Sequence, residues 1–215
     1  MLESSFPCIY NCIGNKVMNR TQKIDFPFPE LKFVKSKQLR DMDFSYYMLK
    51  RLIKENILKR INGDTYENLT YQGDEEEFYY VSAYISNGIV CLMSAAVYYG
   101  LSVARPHQIE VAIHQKARIN KLPDWPQIKL FYFSDKRYKT GVEIVDLNGG
   151  NFHIFDREKV VCDLLVYRHK YGVQEVIAVL KNYLYSDYSN LNKLNAYAKK
   201  LRCHAILTTY LEALL

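Results

Sequence analysis

An α+β fold is expected for this chain on three observations. A helical N-terminal stretch closes in an Asn-Gly hairpin, a block of short apolar strands follows, and the rest has helical periodicity. Strands followed by helices, rather than alternating with them, predict a mixed unit with a small sheet and packed helices. With 215 residues, 49% of them hydrophobic, the chain can build two cores. We divide it into residues 1–72 and 73–215.

Pro7, with Ile9, Cys12, Ile13 and Val17 at three- and four-residue spacing, predicts an amphipathic helix to about Arg20. The run Phe26-Pro27-Phe28-Pro29 breaks it. Ser36 is expected to cap a short helix ending near Met42, with Leu39 facing inward. Ser45, after the turn Asp43-Phe44, caps the next helix. Met48, Leu49, Leu52 and Ile53 gather on one side of it, and Tyr47, Lys50, Arg51 and Lys54 on the other. Residues 58–61 and 64–69 flank Asn62-Gly63, the pair that favours a tight type I′ turn. Two helices, a turn and a basic hairpin read together as a winged helix-turn-helix.

In the second part, residues 74–77 form an acidic loop. Residues 89–100 predict a helix rich in small residues that Gly100 ends. Residues 108–113, 128–133 and 142–147 predict strands, with a fourth at 152–155 joined through Asn148-Gly149-Gly150. Helices are expected over 157–171, 173–185 and 189–203, with a last one running to Leu215.

Charge separates the two parts. Residues 32–63 carry nine cations (Lys32, Lys35, Lys37, Arg40, Lys50, Arg51, Lys54, Lys59, Arg60) against Asp41, Asp43 and Glu55, while the whole chain is +6. Beyond Gly63, seventeen cations face seventeen carboxylates. A polyanion binder has this footprint, because neutralised phosphates release condensed counterions. Lys50, Arg51, Lys54 and Tyr47 are the candidate major-groove contacts, with Arg51 reading guanine through its planar fork. Ser36 and Ser45 would meet phosphate at helix starts, and Arg60 and Asn62 would touch the backbone or minor groove.

Other chemistry is thin. The chain has no phosphate-cradling glycine loop and no dinucleotide fingerprint. Cys8 and Cys12 stand one helical turn apart with no second ligand pair, and the five histidines are isolated, so no metal and no cofactor is expected. Five scattered cysteines and the lack of a long apolar run or secretory layout predict a cytoplasmic protein away from membranes. Glu110, Glu143, Asp146 and Lys129 on neighbouring strands are the residues a metal-dependent nuclease would use. A further alternative is an adaptor whose basic helix meets RNA or protein.

The stretch VKSKQLRDMDFSYYMLKRLIKENILKRINGDTY resembles the N-terminal winged helix of the AbiEi antitoxins of type IV toxin–antitoxin systems, with Arg60, Gly63 and Tyr66 in its last part. IVCLMSAAVYYGLSVARPHQIEVAI is similar to a second block of that family through Ser94, Ala95, Ala96, Gly100, Leu101 and Pro106. FHIFDREKVVCDLL is similar to a third through Asp163, Leu164 and Leu165, with Glu158-Lys159, or a shifted Arg157, where an arginine-threonine pair is usual. The resemblance implies a transcriptional autorepressor that binds duplex DNA at inverted-repeat operators, as two copies per site. It also implies an antitoxin that counteracts a nucleotidyltransferase toxin in abortive infection without forming a stable complex. The Gly-Ser dipeptide of the toxin family is missing here, so the likeness is to the antitoxin.

Overall fold

A computed structural model describes residues 26–119 and 121–214. The helix expected over residues 7–20, with Cys8 and Cys12, lies outside the described residues.

The first unit runs β1 (Phe33–Lys35), α1 (Ser36–Asp41), α2 (Tyr46–Lys54), β2 (Leu58–Arg60) and β3 (Thr65–Asn68). Its sheet has the order β1-β3-β2, with both outer strands antiparallel to β3. Ser45 caps α2 as its sequence position suggests, its Oγ accepting the Met48 N–H at 3.3 Å. Ser36 does not cap α1. The cap position falls on Lys35, whose N–H is satisfied by the Gln38 carboxamide at 2.8 Å, and Ser36 begins the helix proper.

Both helices stop in the same way. Asp43 and Asn56 take left-handed φ values of 57° and 55°. The N–H groups of Phe44 and Ile57 then donate back to the carbonyls of Leu39 and Leu52, each at 3.0 Å. These are Schellman ends, in which a short polar residue supplies the positive φ and an apolar residue follows to close over the last turn. Leu39 and Leu52 are the buried anchors of a small core shared with Val34, Leu58 and Tyr66.

The Asn-Gly turn is not of type I′, since neither Asn62 nor Gly63 has a positive φ. Residues 61–64 form a longer loop in which the Asn62 side chain accepts the N–H groups of Asp64 and Thr65, both at 3.0 Å. Asn62 mimics a backbone turn and so removes the need for two left-handed residues.

The second unit begins with a helix absent from the sequence reading, α3 (Phe78–Tyr84). Residues 89–100 are likewise not one helix: β4 (Ile89–Val90) precedes α4 (Leu92–Tyr98), and Gly100, at φ 69°, ends it. Glu110 enforces the break through its carbonyl and its side chain. The Cys91 N–H donates to the Glu110 carbonyl, and the Met93 N–H to the Glu110 carboxylate, each at 2.9 Å. β5 (Ile109–His114), β6 (Ile128–Phe133), β7 (Val142–Leu147) and β8 (Gly150–Phe155) complete a five-stranded mixed sheet of order β6-β5-β4-β8-β7, with α5 (Asp135–Tyr138) after β6. The expected helix over 157–171 is split at Tyr167 into α6 (Arg157–Val166) and α7 (Arg168–Tyr171). The chain closes with α8 (Val173–Leu184), α9 (Leu191–Lys200) and α10 (His204–Leu214).

Helix α6 is the centre of this unit, with eight of its ten residues buried. It is enclosed on all sides, which is why its sequence lacks a polar face. Three of the buried residues are charged, Glu158, Lys159 and Asp163. Lys159 and Asp163 are fully inaccessible and paired one helical turn apart, and the Arg137 Nε reaches the Asp163 carboxylate at 3.0 Å. The Lys159 ammonium also lies 4.2 Å and 4.8 Å from the ring centroids of Phe155 and Phe133. Burial pushes the Asp163 carboxyl up and the Lys159 amine down, while each charge opposes the shift of the other.

Asp163→Ala leaves that ammonium in the core without its carboxylate, and we expect about 3–5 kcal/mol of lost stability. Urea unfolding measures it, and a loss below about 1 kcal/mol contradicts the assignment.

Candidate nucleic-acid interface

Helix α2 presents the residues that sequence spacing assigned to it, on an element fixed from behind by the buried Leu52 and the half-buried Met48 and Leu49. Tyr47, Lys50 and Lys54 are exposed. The Lys50 ammonium sits 4.6 Å from the centroid of the neighbouring Tyr46 ring, so two solvent-facing tyrosines and two lysines occupy one short stretch. Ser45 is exposed at the start of this helix.

The remaining site residues are spoken for within the protein. Arg51 is half-buried, its Nε donating to Glu55 at 2.7 Å, so the fork meant for guanine is held by a carboxylate one turn along. Arg60 folds over its own loop, with Nε on the Asn62 carbonyl at 2.9 Å and Nη2 on the Gly63 carbonyl at 3.3 Å. Besides accepting two loop amides, Asn62 donates its Nδ2 to the Ala83 carbonyl of α3 at 2.8 Å. The Ser36 N–H donates to the Asp64 carbonyl at 2.6 Å, joining α1 to the same loop. These four groups therefore shape the surface more than they extend from it.

Lys32 belongs to the basic stretch in sequence only. It is 8% exposed, and its Nζ meets Glu75 at 3.1 Å and Glu67 at 3.5 Å. Around it run the other contacts that seat the first unit on the second. The Tyr80 hydroxyl donates to Glu67 at 3.1 Å, the Phe33 and Tyr80 rings meet edge to face at 5.0 Å, and the Lys32 N–H donates to the Gly149 carbonyl at 3.0 Å. Burial, with the Glu67 charge adding to it, holds the Tyr80 phenol well above its usual range. The link between the units is an irregular segment closed by α3.

Four more cations of the first unit are exposed although no motif singled them out: Lys35, Lys37, Arg40 and Lys59. Of these, only Lys59 has an ion partner among the described residues, Glu67 at 4.0 Å. Their signal in sequence was the local charge excess, not spacing on α2.

The carboxylates proposed for a metal-dependent nuclease do not converge. Glu110 on β5 lies opposite Lys129 on β6, whereas Glu143 and Asp146 lie on β7 at the far edge of the sheet. With β4 and β8 between, three strand spacings of about 4.8 Å separate them. Among the described residues no group of three His, Cys, Asp or Glu side chains is arranged to hold a metal ion. Glu110 is instead a buried structural acceptor for the Met93 N–H and, at 2.7 Å, the Tyr171 hydroxyl. No helix of the described residues is long and apolar enough to cross a membrane.

Compared with known proteins, the chain matches no family model and no curated relative.

Burial raises the Glu110 carboxyl above its ordinary value, only partly offset by its two donors and by Lys170 and Lys129. A carboxyl raised on folding holds its proton longer in the native state, so its contribution to stability falls as pH rises through the native value. Glu110→Gln keeps an acceptor without the charge. We expect the variant's thermal midpoint to gain on the parent's as pH goes from about 5 to 8; a difference that is constant with pH contradicts it.

Proposed function

We propose that this chain is a duplex-DNA-binding regulator of the AbiEi antitoxin kind, with its first unit acting as a winged helix-turn-helix that represses its own operon. One observation carries the reading: α2 is rigidly backed and capped at both ends, and offers Tyr47, Lys50 and Lys54 to solvent without carboxylate partners among the described residues. Two helices joined by a tight turn and followed by a hairpin in a three-stranded sheet support this reading, since such a module is built from elements in that order. In this reading Lys50, Lys54 and Tyr47 approach the major groove, with Lys35, Lys37, Arg40 and Lys59 supplying further phosphate contacts. Arg51 reads a base only after exchanging Glu55 for guanine.

The resemblance supports the antitoxin part of the reading. Ser94, Ala95 and Ala96 are buried on α4, Leu101 is buried after it, and Asp163, Leu164 and Leu165 are buried on α6. These residues of the resemblance build the core of the second unit, while Arg60, Gly63 and Gly100 are exposed. The second unit would counteract a nucleotidyltransferase toxin without a lasting complex, and two copies of the chain would occupy an inverted-repeat operator.

Binding to the promoter fragment upstream of the gene, followed by fluorescence anisotropy at several salt concentrations, tests the proposal. Log affinity is expected to fall linearly with log salt, and Lys50→Ala with Lys54→Ala to flatten the slope by about 1 per lost phosphate contact. A plot flat for the parent chain rejects the reading. The same double variant is expected to keep its protection of cells against the neighbouring toxin, because its changes lie on α2 alone. Loss of protection together with repression would tie both activities to α2.

A further inference from the structure

The second unit, residues 73–215, carries seventeen cations against fifteen carboxylates, and they are unevenly spread. Residues 115–122 carry Lys116, Arg118 and Lys121 and no carboxylate. Arg118 and Lys121 line the same groove of about 730 Å³ as Ile61 and Asn62 of the first unit's loop 61–64. Both cations are exposed, and neither enters an ion pair among the described residues. Asp135, the carboxylate beside the groove residue His114, is already engaged by His114 at 3.6 Å and Lys139 at 3.0 Å.

The walls keep a defined spacing. Asn62 is fixed to the Ala83 carbonyl at 2.8 Å, and the Tyr138 hydroxyl closes onto the Asn87 carbonyl at the turn after α3. Apolar side chains such as Ile85, Ile113 and Ile119 line the rest of the groove, and the two partner-free cations on its rim give it positive charge that suits a polyanionic backbone. A lone small anion would leave most of it empty.

We propose that Arg118 and Lys121 form a second phosphate-contacting element, so that the sugar-phosphate backbone of a bound DNA duplex runs between them and the loop 61–64. This rests on the DNA-binding reading above and enlarges it, because the second unit then contributes directly to the footprint. It also gives the seam at Lys32 a purpose: two cationic elements on separate units act on one duplex only if the units keep their relative placement.

The test compares three full-length chains on the promoter fragment at several salt concentrations: the parent, Arg118→Ala with Lys121→Ala, and Lys50→Ala with Lys54→Ala. Thermal unfolding confirms that each is folded, which exposed sites favour. At about 0.1 M salt each lost phosphate contact weakens binding on the order of tenfold and reduces the salt slope by about 0.9. Weakening and a flatter slope in the Arg118/Lys121 variant support the proposal. Parent-like binding by that variant, with the Lys50/Lys54 variant impaired, overturns it and leaves the DNA-binding reading standing. Parent-like binding by both variants overturns the two together. An effect of Arg118 and Lys121 on a folded RNA but not on duplex DNA also overturns it.

Discussion

The buried Lys32 ammonium, held between Glu67 and Glu75 with the Tyr71 ring 5.9 Å away, is the contact on which the arrangement of this molecule depends. A five-residue apolar core is too small to give the first unit much stability of its own. Its placement therefore comes from the seam that Lys32 anchors, together with Tyr80 on Glu67, Phe33 on Tyr80 and Asn62 on Ala83. Glu67 belongs to the first unit with Lys32, so across the seam the ammonium has Glu75, and a shift of the units breaks that ion pair together with the Tyr80, Phe33 and Asn62 contacts. The outcome is one placement of α2 relative to the second unit.

That seam also sorts the charges. Nine cations in residues 32–63 form a single excess in composition, yet the structure divides them by task. Lys32 joins the units, Arg51 braces α2 through Glu55, and Arg60 closes its loop, leaving the lysines of α2 and their neighbours to face solvent. Counting charges could locate the unit but not the usable subset, because pairing with Glu67 and Glu75 depends on tertiary contacts that no local pattern encodes. Arg51 and Glu55 are the exception: their four-residue spacing was legible, and it outweighs the open fork the same arginine would need. Glu110, Glu143 and Asp146 failed as a group for a related reason. Strand periodicity gives the face a residue takes and says nothing of strand order, and β4 and β8 intervene.

Much of the fold was readable where one local interaction decides. The Ser45 cap is a hydrogen bond across three residues, and strands 128–133 and 142–147 match their apolar and β-branched runs. Errors fall where distant partners win. Residues 89–100 have helical composition throughout, but Ile89 and Val90 pair with strands on both sides, and Glu110 fixes the amides that follow. Asn62-Gly63 carries the strongest short turn signal, yet the Asn62 side chain satisfies the loop amides itself and spends its remaining donors on α3. The signal missed was a local one: Asp43 before Phe44 and Asn56 before Ile57 mark the helix ends by pairing a left-handed position with a following apolar residue.

In the proposed complex two cationic elements are held in one frame against one duplex. Titrating the isotope-labelled chain with duplex DNA and following backbone amide signals tests this most directly. Perturbations are expected in residues 46–54, 61–64 and 116–119 together, over the same range of DNA concentration, with α8 to α10 unaffected. Shifts confined to the C-terminal helices, or no shifts at low salt, would contradict it.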